Sequence, residues 1–255
     1  MDKDSFEESK EMLCAIRQSD IQKVAAWDQQ KSDGPFSCPL CVEQTVLKKG
    51  TMKVHHFAHR PPVTCEYGRG ETEQHRKCKL TIYEGLRGHP RFRDVEMERR
   101  LGTVRPDVSG FMAGIPFAIE VQISALTMDQ IVHRTREYAK KGIYVLWLAL
   151  YQAALEENRY SPRAWERWVH AAYFGRVYYW IQGLEAIPYH LGQCIEFVES
   201  CGYKRLFKRF RVPKKGRTVS LAESFKPRHR AVEWRSRRIV VPESRLLIDT
   251  QRSWW

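Results

Sequence analysis

Two acidic residues interrupt a segment that otherwise predicts a pair of short β-strands. The segment RPDVSGFMAGIPFAIEVQIS spans residues 105–124 and has Ala113-Gly114 near its centre, where a tight turn is expected. A turn there places Asp107 directly opposite Glu120 on one face of the hairpin. Like charges in that arrangement destabilise a strand pair unless a cation lies between them. Because Mg²⁺ and Mn²⁺ prefer carboxylate oxygens, the pair predicts a divalent-cation site.

The rest of the predicted hairpin supports this interpretation but leaves an alternative open. Gln122 shares the acidic face with small residues, whereas the opposite face is apolar from Val108 to Ile123. The alternative is that one acid pairs with an arginine, Arg105 or Arg134, in a surface network that binds no metal.

A helix ahead of the hairpin carries three more residues that could serve the same chemistry. In ETEQHRKCKLTIYEGL, Glu71, His75 and Lys79 recur at every fourth position, so they form one stripe of a helix. A carboxylate, an imidazole and an amine on one stripe can supply a metal ligand and a cation. The alternative is a solvent-exposed face stabilised by Glu–Lys pairs.

A second metal site is predicted from cysteines and histidines. The pair Cys38-x2-Cys41 has the spacing of a zinc knuckle, and zinc takes four nitrogen or sulfur ligands in structural sites. Any two of His56, His59 and Cys65 would complete it. Our preferred set is Cys38, Cys41, His59 and Cys65, with His56 as the alternate, and free thiols beside unrelated histidines are the remaining possibility.

The pattern of the chain predicts an α/β scaffold for these residues. Helices are expected on either side of the hairpin: at about 71–86, where apolar residues recur at helical spacing before Gly88, and at about 127–141, between a capping Thr127 and Gly142. The buried strand predicted at 143–150 follows the second helix at once, so it lies parallel to the hairpin after a right-handed crossover. A further helix at about 162–174 precedes another strand.

The formal charge of +13 is concentrated near the C-terminus. Between Tyr203 and Val240 there are 14 Lys and Arg residues and only two Glu, so this segment predicts contact with a polyanion, most simply nucleic acid. A solubilising or protein-docking tail is the alternative. The candidate nucleic-acid-binding residues are Lys204, Arg205, Lys208, Arg209, Arg211, Lys214, Lys215 and Arg217.

The sequence predicts a cytoplasmic protein without a membrane span. The first residues are acidic and polar, unlike a secretory signal, and no apolar run approaches the ~20 residues of a spanning helix. Seven cysteines, an odd number, favour reduced thiols and metal ligands over a disulfide framework.

The acidic hairpin resembles the metal-dependent nuclease signature PD-(D/E)XK. Pro106-Asp107, Glu120 and Gln122 stand at its positions, and the predicted order of helix, hairpin, helix and strand is similar to the fold of that group. The resemblance implies a restriction-endonuclease-like core, a mixed sheet flanked by helices. The sequence departs from the signature at Gln122, where the family has a lysine that orients water or stabilises phosphate charge.

The order of motifs along residues 36–150 resembles the competence protein CoiA family. These motifs are CPLC, KKG, HFAH with a cysteine six residues later, E-x3-H-x3-K-x3-Y, PDV, AIEVQIS, RTREY and GIYVLWL. The resemblance implies a nuclease-like protein with an active-site set of Asp107, Glu120, Gln122, Glu71, His75 and Lys79. It also implies the preferred zinc set, and it places Arg134 and Tyr138 near substrate, because they resemble the Gln-x3-Tyr element of RecB-like nucleases.

We therefore predict a divalent-metal-dependent deoxyribonuclease of the CoiA type, acting in competence, DNA processing, recombination or phage defence. Mg²⁺ or Mn²⁺ on Asp107, Glu120 and His75 would be catalytic, and Zn²⁺ would be structural. Single- or double-stranded DNA is the expected partner, with a recombination or defence protein as a possible second one. The alternative is a nuclease fold with little or no turnover that binds DNA or recruits a partner.

Four segments are predicted along the chain. They are a leader with the zinc-binding unit at 1–66, the nuclease-like core at 67–152, a helical and strand extension at 153–202, and a basic tail at 203–255.

Overall fold

In the computed structural model the chain divides into two compact units, Met1–Lys77 and Cys78–Trp255. The four-segment division expected from the sequence stays a prediction. The residues that the structure describes are 11–62, 65, 67, 71–122, 126–198, 206–236 and 239–251, and for 194–198 and 206–210 the description covers the backbone alone.

The first unit is built on an antiparallel sheet. Its strands are β1 (Glu11–Met12), β2 (Cys14–Arg17), β3 (Gln22–Ala25), β4 (Phe36–Ser37), β5 (Gln44–Lys48) and β6 (His56–His59). They pair in the order β1-β6-β5-β4-β2-β3. The buried side chains of Phe36, Leu47 and Phe57 form a small core together with Cys38 and Cys65. Two of the predicted zinc ligands are therefore part of the packing of this unit.

Three α-helices occur among the described residues: α1 (Glu73–Arg87), α2 (Met128–Lys140) and α3 (Ala164–Ala172). All three were predicted, and α2 is well defined at both ends. Thr127 accepts a hydrogen bond from the Gln130 amide, and the Gln130 side chain accepts one from the Thr127 amide. Gly142, with φ of +72°, ends the helix in a conformation that favours glycine.

A mixed sheet forms the second unit. Its main strands are β7 (Phe92–Met97), β8 (Val108–Met112), β9 (Ile115–Gln122), β10 (Tyr144–Leu150), β11 (Val177–Gln182), β12 (Glu185–Val198) and β13 (Leu206–Lys215). They pair in the order β13-β12-β11-β10-β9-β8-β7. Strand β10 lies parallel to β9 and β11, and its apolar run from Val145 to Leu148 is at most 1% exposed, as expected for a central parallel strand. The predicted mixed α/β class is confirmed.

The β8–β9 hairpin has the predicted register. Its turn consists of Ala113 and Gly114, with φ of +49° and +81°, the signs required by a two-residue type I′ turn. The ladder pairs Met112 with Ile115 and continues to Val108 and Ile119. Asp107 and Glu120 follow this last pair, so the two acids lie at the open end of the hairpin.

The C-terminal residues are folded into strands where the sequence predicted a basic tail. After β13 these strands are β14 (Val219–Ser220), β15 (Phe225–Arg230), β16 (Trp234–Ser236), β17 (Ile239–Val241) and β18 (Ser244–Asp249). Strand β18 pairs with both β15 and β10, and Leu246, opposite Val145, is 1% exposed. The density of charge gave no sign that consecutive residues of β18, Leu246 to Ile248, are buried.

Within the described residues, no helix combines the length and apolarity needed to span a bilayer.

We predict that Leu246→Ala destabilises the protein by about 2–5 kcal/mol, because it leaves a cavity beside the central strand. Val232, also in the C-terminal segment, is 75% exposed, so Val232→Ala should change stability by less than about 0.5 kcal/mol. Urea denaturation of both variants measures the difference. Equal, small effects would show that β18 is not part of the core.

Candidate functional site

Four residues of the first unit have the arrangement of a zinc site. The ligand atoms of Cys38, Cys41, His59 and Cys65 all lie within 4.8 Å of one another. The Cys38 and Cys65 sulfurs are 3.8 Å apart, and the Cys41 sulfur is 3.3 Å from His59 Nε2. A tetrahedron with metal–sulfur bonds of ~2.3 Å has sulfur–sulfur edges of ~3.8 Å. The four residues can therefore hold a zinc ion, with all ligands supplied by the protein, as in a structural site.

Backbone amides support two of these sulfurs. The Leu40 amide donates to Cys38 Sγ at 3.3 Å, and the Tyr67 amide donates to Cys65 Sγ at 3.4 Å. Such hydrogen bonds orient metal-bound sulfurs and stabilise their charge. Burial raises the pKa of Cys38 to about 12, so without a cation its thiol is protonated at neutral pH, and metal binding must displace that proton.

His56, the alternate ligand, lies outside the cluster. Its Nδ1 is 2.9 Å from the carbonyl oxygen of Val54, and its Nε2 is 3.5 Å from Glu11. The structure thus favours His59, as the preferred set did.

In the second unit, Glu120 is buried in a network of charged and polar groups. It is 2% exposed, and its Oε1 is 2.5 Å from Arg134 Nη2. The hydroxyl of Tyr138 donates to the same oxygen. Arg134 also donates to the carbonyl oxygen of Arg105 at 3.1 Å, and its guanidinium lies over the ring of Trp147. The crossover helix α2 therefore positions the acid of β9.

The protonation states in this network are well defined. Burial raises the pKa of Tyr138 and the nearby Glu120 carboxylate raises it further, so the phenol keeps its proton and donates. Burial lowers the pKa of Arg134, but the interactions with Glu120, Tyr138 and Asp107 together outweigh it, and the net pKa is raised above the ordinary value. Arg134 therefore stays charged beside the carboxylate.

Lys79 forms a second charged group around Asp107. It is fully buried on α1, with its Nζ 2.6 Å from Glu98 and 3.6 Å from Asp107. The other oxygen of Asp107 accepts a hydrogen bond from the Val121 amide at 2.7 Å. That contact holds the Asp107 carboxylate against β9, because Val121 directly follows Glu120 in that strand.

Glu98 was missed by the sequence analysis. It follows β7, is 5% exposed, and has a left-handed backbone with φ of +51°, which costs a non-glycine residue about 1 kcal/mol or more. Its amide donates to the Asp107 carbonyl at 3.0 Å, which ties the end of β7 to the start of β8. The surrounding sequence VEMERR contains two glutamates, and nothing in its pattern distinguished this one from the other.

The alternative in which Arg134 pairs with an acid has a counterpart in the structure, because Arg134 pairs with Glu120, although Glu120 is buried and Arg134 is only partly exposed. Gln122 is also buried, at 7% exposure.

Among the described residues, the Cys38–Cys65 cluster is the one group of three or more His, Cys, Asp or Glu side chains with metal-ligand spacing. The Mg²⁺ or Mn²⁺ role of Asp107 and Glu120 stays a prediction.

Glu71 and His75 belong to the first of the two compact units. His75 Nδ1 lies 3.8 Å from Glu71 Oε1, consistent with their spacing along the chain. Their predicted part in the active site stays a prediction.

The predicted nucleic-acid-binding residues differ in exposure. Lys214, Lys215 and Arg217 are exposed, whereas Arg211 is half-buried and donates to the carbonyl oxygen of Leu191. Lys215 also pairs with Glu156 at 3.2 Å. Lys204 and Arg205 lie outside the described residues, as do the side chains of Lys208 and Arg209.

Comparison with known families finds two matches. A family model described as competence protein CoiA, nuclease-like domain, matches residues 71–172. A second, described as competence protein CoiA, N-terminal domain, matches residues 16–68. No curated protein and no solved structure matches the chain. The two family models together cover more than half of the sequence, and Cys38, Asp107 and Glu120 lie within them.

We predict that His59→Gln removes bound zinc, whereas His56→Gln keeps it, because His59 alone of the two histidines has its ring nitrogen among the ligand atoms. Elemental analysis of the purified proteins should give about one zinc per chain for wild type and for His56→Gln. If His56→Gln lost the zinc and His59→Gln kept it, His56 would be the ligand and His59 would not.

Proposed function

Because the chain belongs to the competence protein CoiA family, we propose that it is a divalent-metal-dependent nuclease that hydrolyses phosphodiester bonds in DNA. The observation that carries this proposal is the cluster of Asp107, Glu120 and Lys79 at the open end of the β8–β9 hairpin, in which Glu120 and Lys79 are buried. This cluster lies inside the residues matched by the nuclease-like family model.

We further propose that the core has the PD-(D/E)XK fold. Its elements follow in the order α1, β7, β8, β9, α2 and β10, with the hairpin and crossover helix of that group. Strand β10 is parallel to β9, as a crossover through α2 requires. The two acids lie on the hairpin, where the signature places them.

The donor set fits a divalent cation. Asp107 and Glu120 offer the hard oxygen ligands that Mg²⁺ and Mn²⁺ prefer. Glu98, Asp107 and Glu120 supply three carboxylates to the cluster, and Lys79 and Arg134 contact them. Arg134 and Tyr138 both contact Oε1 of Glu120, so they orient this carboxylate.

In this proposal Asp107 and Glu120 hold the metal, with His75 as a further ligand and Glu71 beside it. The bound metal would polarise the scissile phosphate and lower the pKa of an attacking water. The other roles in this proposal belong to side chains of the protein. Arg134 and Tyr138 hold the Glu120 carboxylate in place, and Arg134 provides a positive charge beside it.

Lys79 would supply the positive charge that the signature normally has at position 122. Its ammonium lies 3.6 Å from Asp107, beside the proposed metal ligand. Glu98, at 2.6 Å, fixes the ammonium and offsets the cost of burying it. Gln122 can hydrogen-bond a water molecule but carries no charge. In this proposal Gln122 therefore positions the water, and Lys79 provides the positive charge.

The remaining parts have supporting roles. A zinc ion on the four-residue cluster would join the loops that follow β4 and β6 and stabilise the small core of the first unit. Free thiols and the absence of a spanning helix among the described residues are compatible with a cytoplasmic location. Competence, DNA repair and phage defence could all use this reaction.

A second candidate function is favoured by one observation. Each acid already has a cationic neighbour, Arg134 for Glu120 and Lys79 for Asp107, so the cluster can be stable without a metal. A nuclease fold with little or no turnover that binds DNA or recruits a partner is consistent with this. Metal-dependent cleavage separates the two functions.

We predict that the wild-type protein cleaves DNA in Mg²⁺ or Mn²⁺ and that Glu120→Gln lowers the rate about a hundredfold or more, since a metal contributes several kcal/mol to phosphoryl transfer. The matched control is Glu96→Gln, which changes an acid on neighbouring β7 that pairs with Arg99. Single- and double-stranded substrates are assayed on denaturing gels. If the Glu120→Gln variant cleaves DNA as fast as wild type, Glu120 is not part of the active site. If wild type cleaves no substrate, the binding function is favoured.

We predict that Lys79→Met alone destabilises the fold by about 3–5 kcal/mol, because Glu98 is left buried without its partner. The double variant Lys79→Met/Glu98→Met should regain most of this stability, since an apolar pair replaces an ion pair. Its kcat should nevertheless stay about a hundredfold below wild type if Lys79 stabilises phosphate charge.

The control for this pair is Lys77→Met, two residues away on the exposed face of α1, which should retain both stability and activity. A folded double variant with the kcat of wild type would show that Lys79 serves structure alone.

A further inference from the structure

One tryptophan differs from the others in its exposure. Among the six tryptophans whose burial is described, Trp147, Trp165, Trp168 and Trp180 are at most 6% exposed and Trp27 is half-buried, whereas Trp234 is 41% exposed. Val232, two residues earlier, is 75% exposed. Leaving a large aromatic ring in water forgoes stabilisation that its burial would give. A ring in this position is available to a ligand.

The segment that carries Trp234 is a hairpin held at two points. Its strands are β16 and β17, which pair Trp234 with Val241. Trp168 of α3 donates its indole N–H to the carbonyl oxygen of Val240 at 2.8 Å, and Val241 is fully buried. On the other strand, Glu233 is 3.1 Å from Arg136 of α2. These contacts fix the hairpin, so Trp234 is presented on a supported ribbon.

The surroundings of the hairpin are positively charged. Residues 226–245 contain seven Lys and Arg and two Glu. Lys226, Arg228 and Arg235 are exposed. Glu233 is paired with both Arg136 and Arg235, so its charge is offset. The segment that carries the ring therefore has a positive net charge.

We propose that the β16–β17 hairpin binds single-stranded DNA, with Trp234 stacking on an unpaired base and the neighbouring arginines contacting phosphates. Aromatic side chains within a basic surface are the general means of holding single strands, because every base offers a ring face. Duplex DNA keeps its bases stacked on one another, so it offers no such face to an isolated tryptophan. The positive charge of this surface favours a polyanion, and the exposed ring of Trp234 favours a single strand over a duplex.

The position of the hairpin connects it with the proposed nuclease site, and in that respect the inference rests on the proposed function. Arg134 and Arg136 both belong to α2, one paired with Glu120 and the other with Glu233. The hairpin and Glu120 are thus both connected to α2. Residues 173–255, which include the hairpin, lie outside both matching family models. A single strand bound there would be held beside the helix that positions Glu120.

The test measures binding of the full-length protein to a fluorescent oligothymidine and to a duplex of equal length by anisotropy. No Mg²⁺, Mn²⁺ or chelator is added, so that bound zinc is retained, and a denaturing gel confirms that each probe is intact. Trp234→Ala should weaken oligothymidine binding about tenfold, within the range for one stacked base, and duplex binding by less than about twofold. Trp234→Phe should keep most of the affinity.

Two controls separate stacking from general effects. Phe111 is 37% exposed and lies near the turn of the β8–β9 hairpin, so Phe111→Ala should leave both affinities unchanged. An abasic probe of the same length keeps the phosphates but lacks the rings, so wild type and Trp234→Ala should bind it equally. Arg235→Gln should lower the salt dependence of binding, whereas Trp234→Ala should leave the slope unchanged.

An unchanged oligothymidine affinity of Trp234→Ala, an equal loss on the duplex, or a difference between the two proteins on the abasic probe would each overturn this inference. If these occur while Mg²⁺-dependent cleavage is present, the proposed nuclease function is unaffected. A tenfold, base-dependent loss in a protein that cleaves nothing would support the hairpin surface and count against the nuclease function alone.

Discussion

The buried ammonium of Lys79 imposes the strongest constraint on the nuclease-like unit. A fully buried cation must be paired, and Lys79 meets Glu98 at 2.6 Å and Asp107 at 3.6 Å. These two partners come from the ends of different strands, so the ion pair requires α1, β7 and β8 to meet at one place. The left-handed backbone of Glu98 and its amide contact with Asp107 follow from this requirement. On the other side of Asp107, the Val121 amide brings in β9, and with it Glu120.

Features set by local spacing were predictable from the sequence. The type I′ turn at Ala113-Gly114 fixes the register of the hairpin, and a side-chain period of two then determines which residues share a face. The zinc set was predictable for a similar reason, because the Cys38-x2-Cys41 knuckle leaves few partners that can complete a tetrahedron. The capped helix α2 and the parallel strand after it follow from short-range signals and from the handedness of crossovers.

Features that depend on distant parts of the chain were not predictable in this way. Glu98 lies 19 residues from Lys79, and only the packing of α1 against the end of β7 brings them together. The pairing of β18 with β10 joins Leu246 to Val145, about a hundred residues apart, and composition gave no sign of it because the segment is rich in Lys and Arg. Arg134 was considered as a partner of an acid, but its position over Trp147 follows from how α2 packs on β10.

The place of β18 in the central sheet bears on how the protein is made. During synthesis, residues 71–172 leave the ribosome long before Ser244–Asp249, yet strand β10 acquires its β18 neighbour only when these last residues emerge. Until then the apolar surface that β18 covers is exposed, a condition in which nascent chains engage chaperones or aggregate. Premature termination would yield products without this strand, which are substrates for proteolysis. The sheet around β10 is therefore complete only after Ser244–Asp249 have been synthesised.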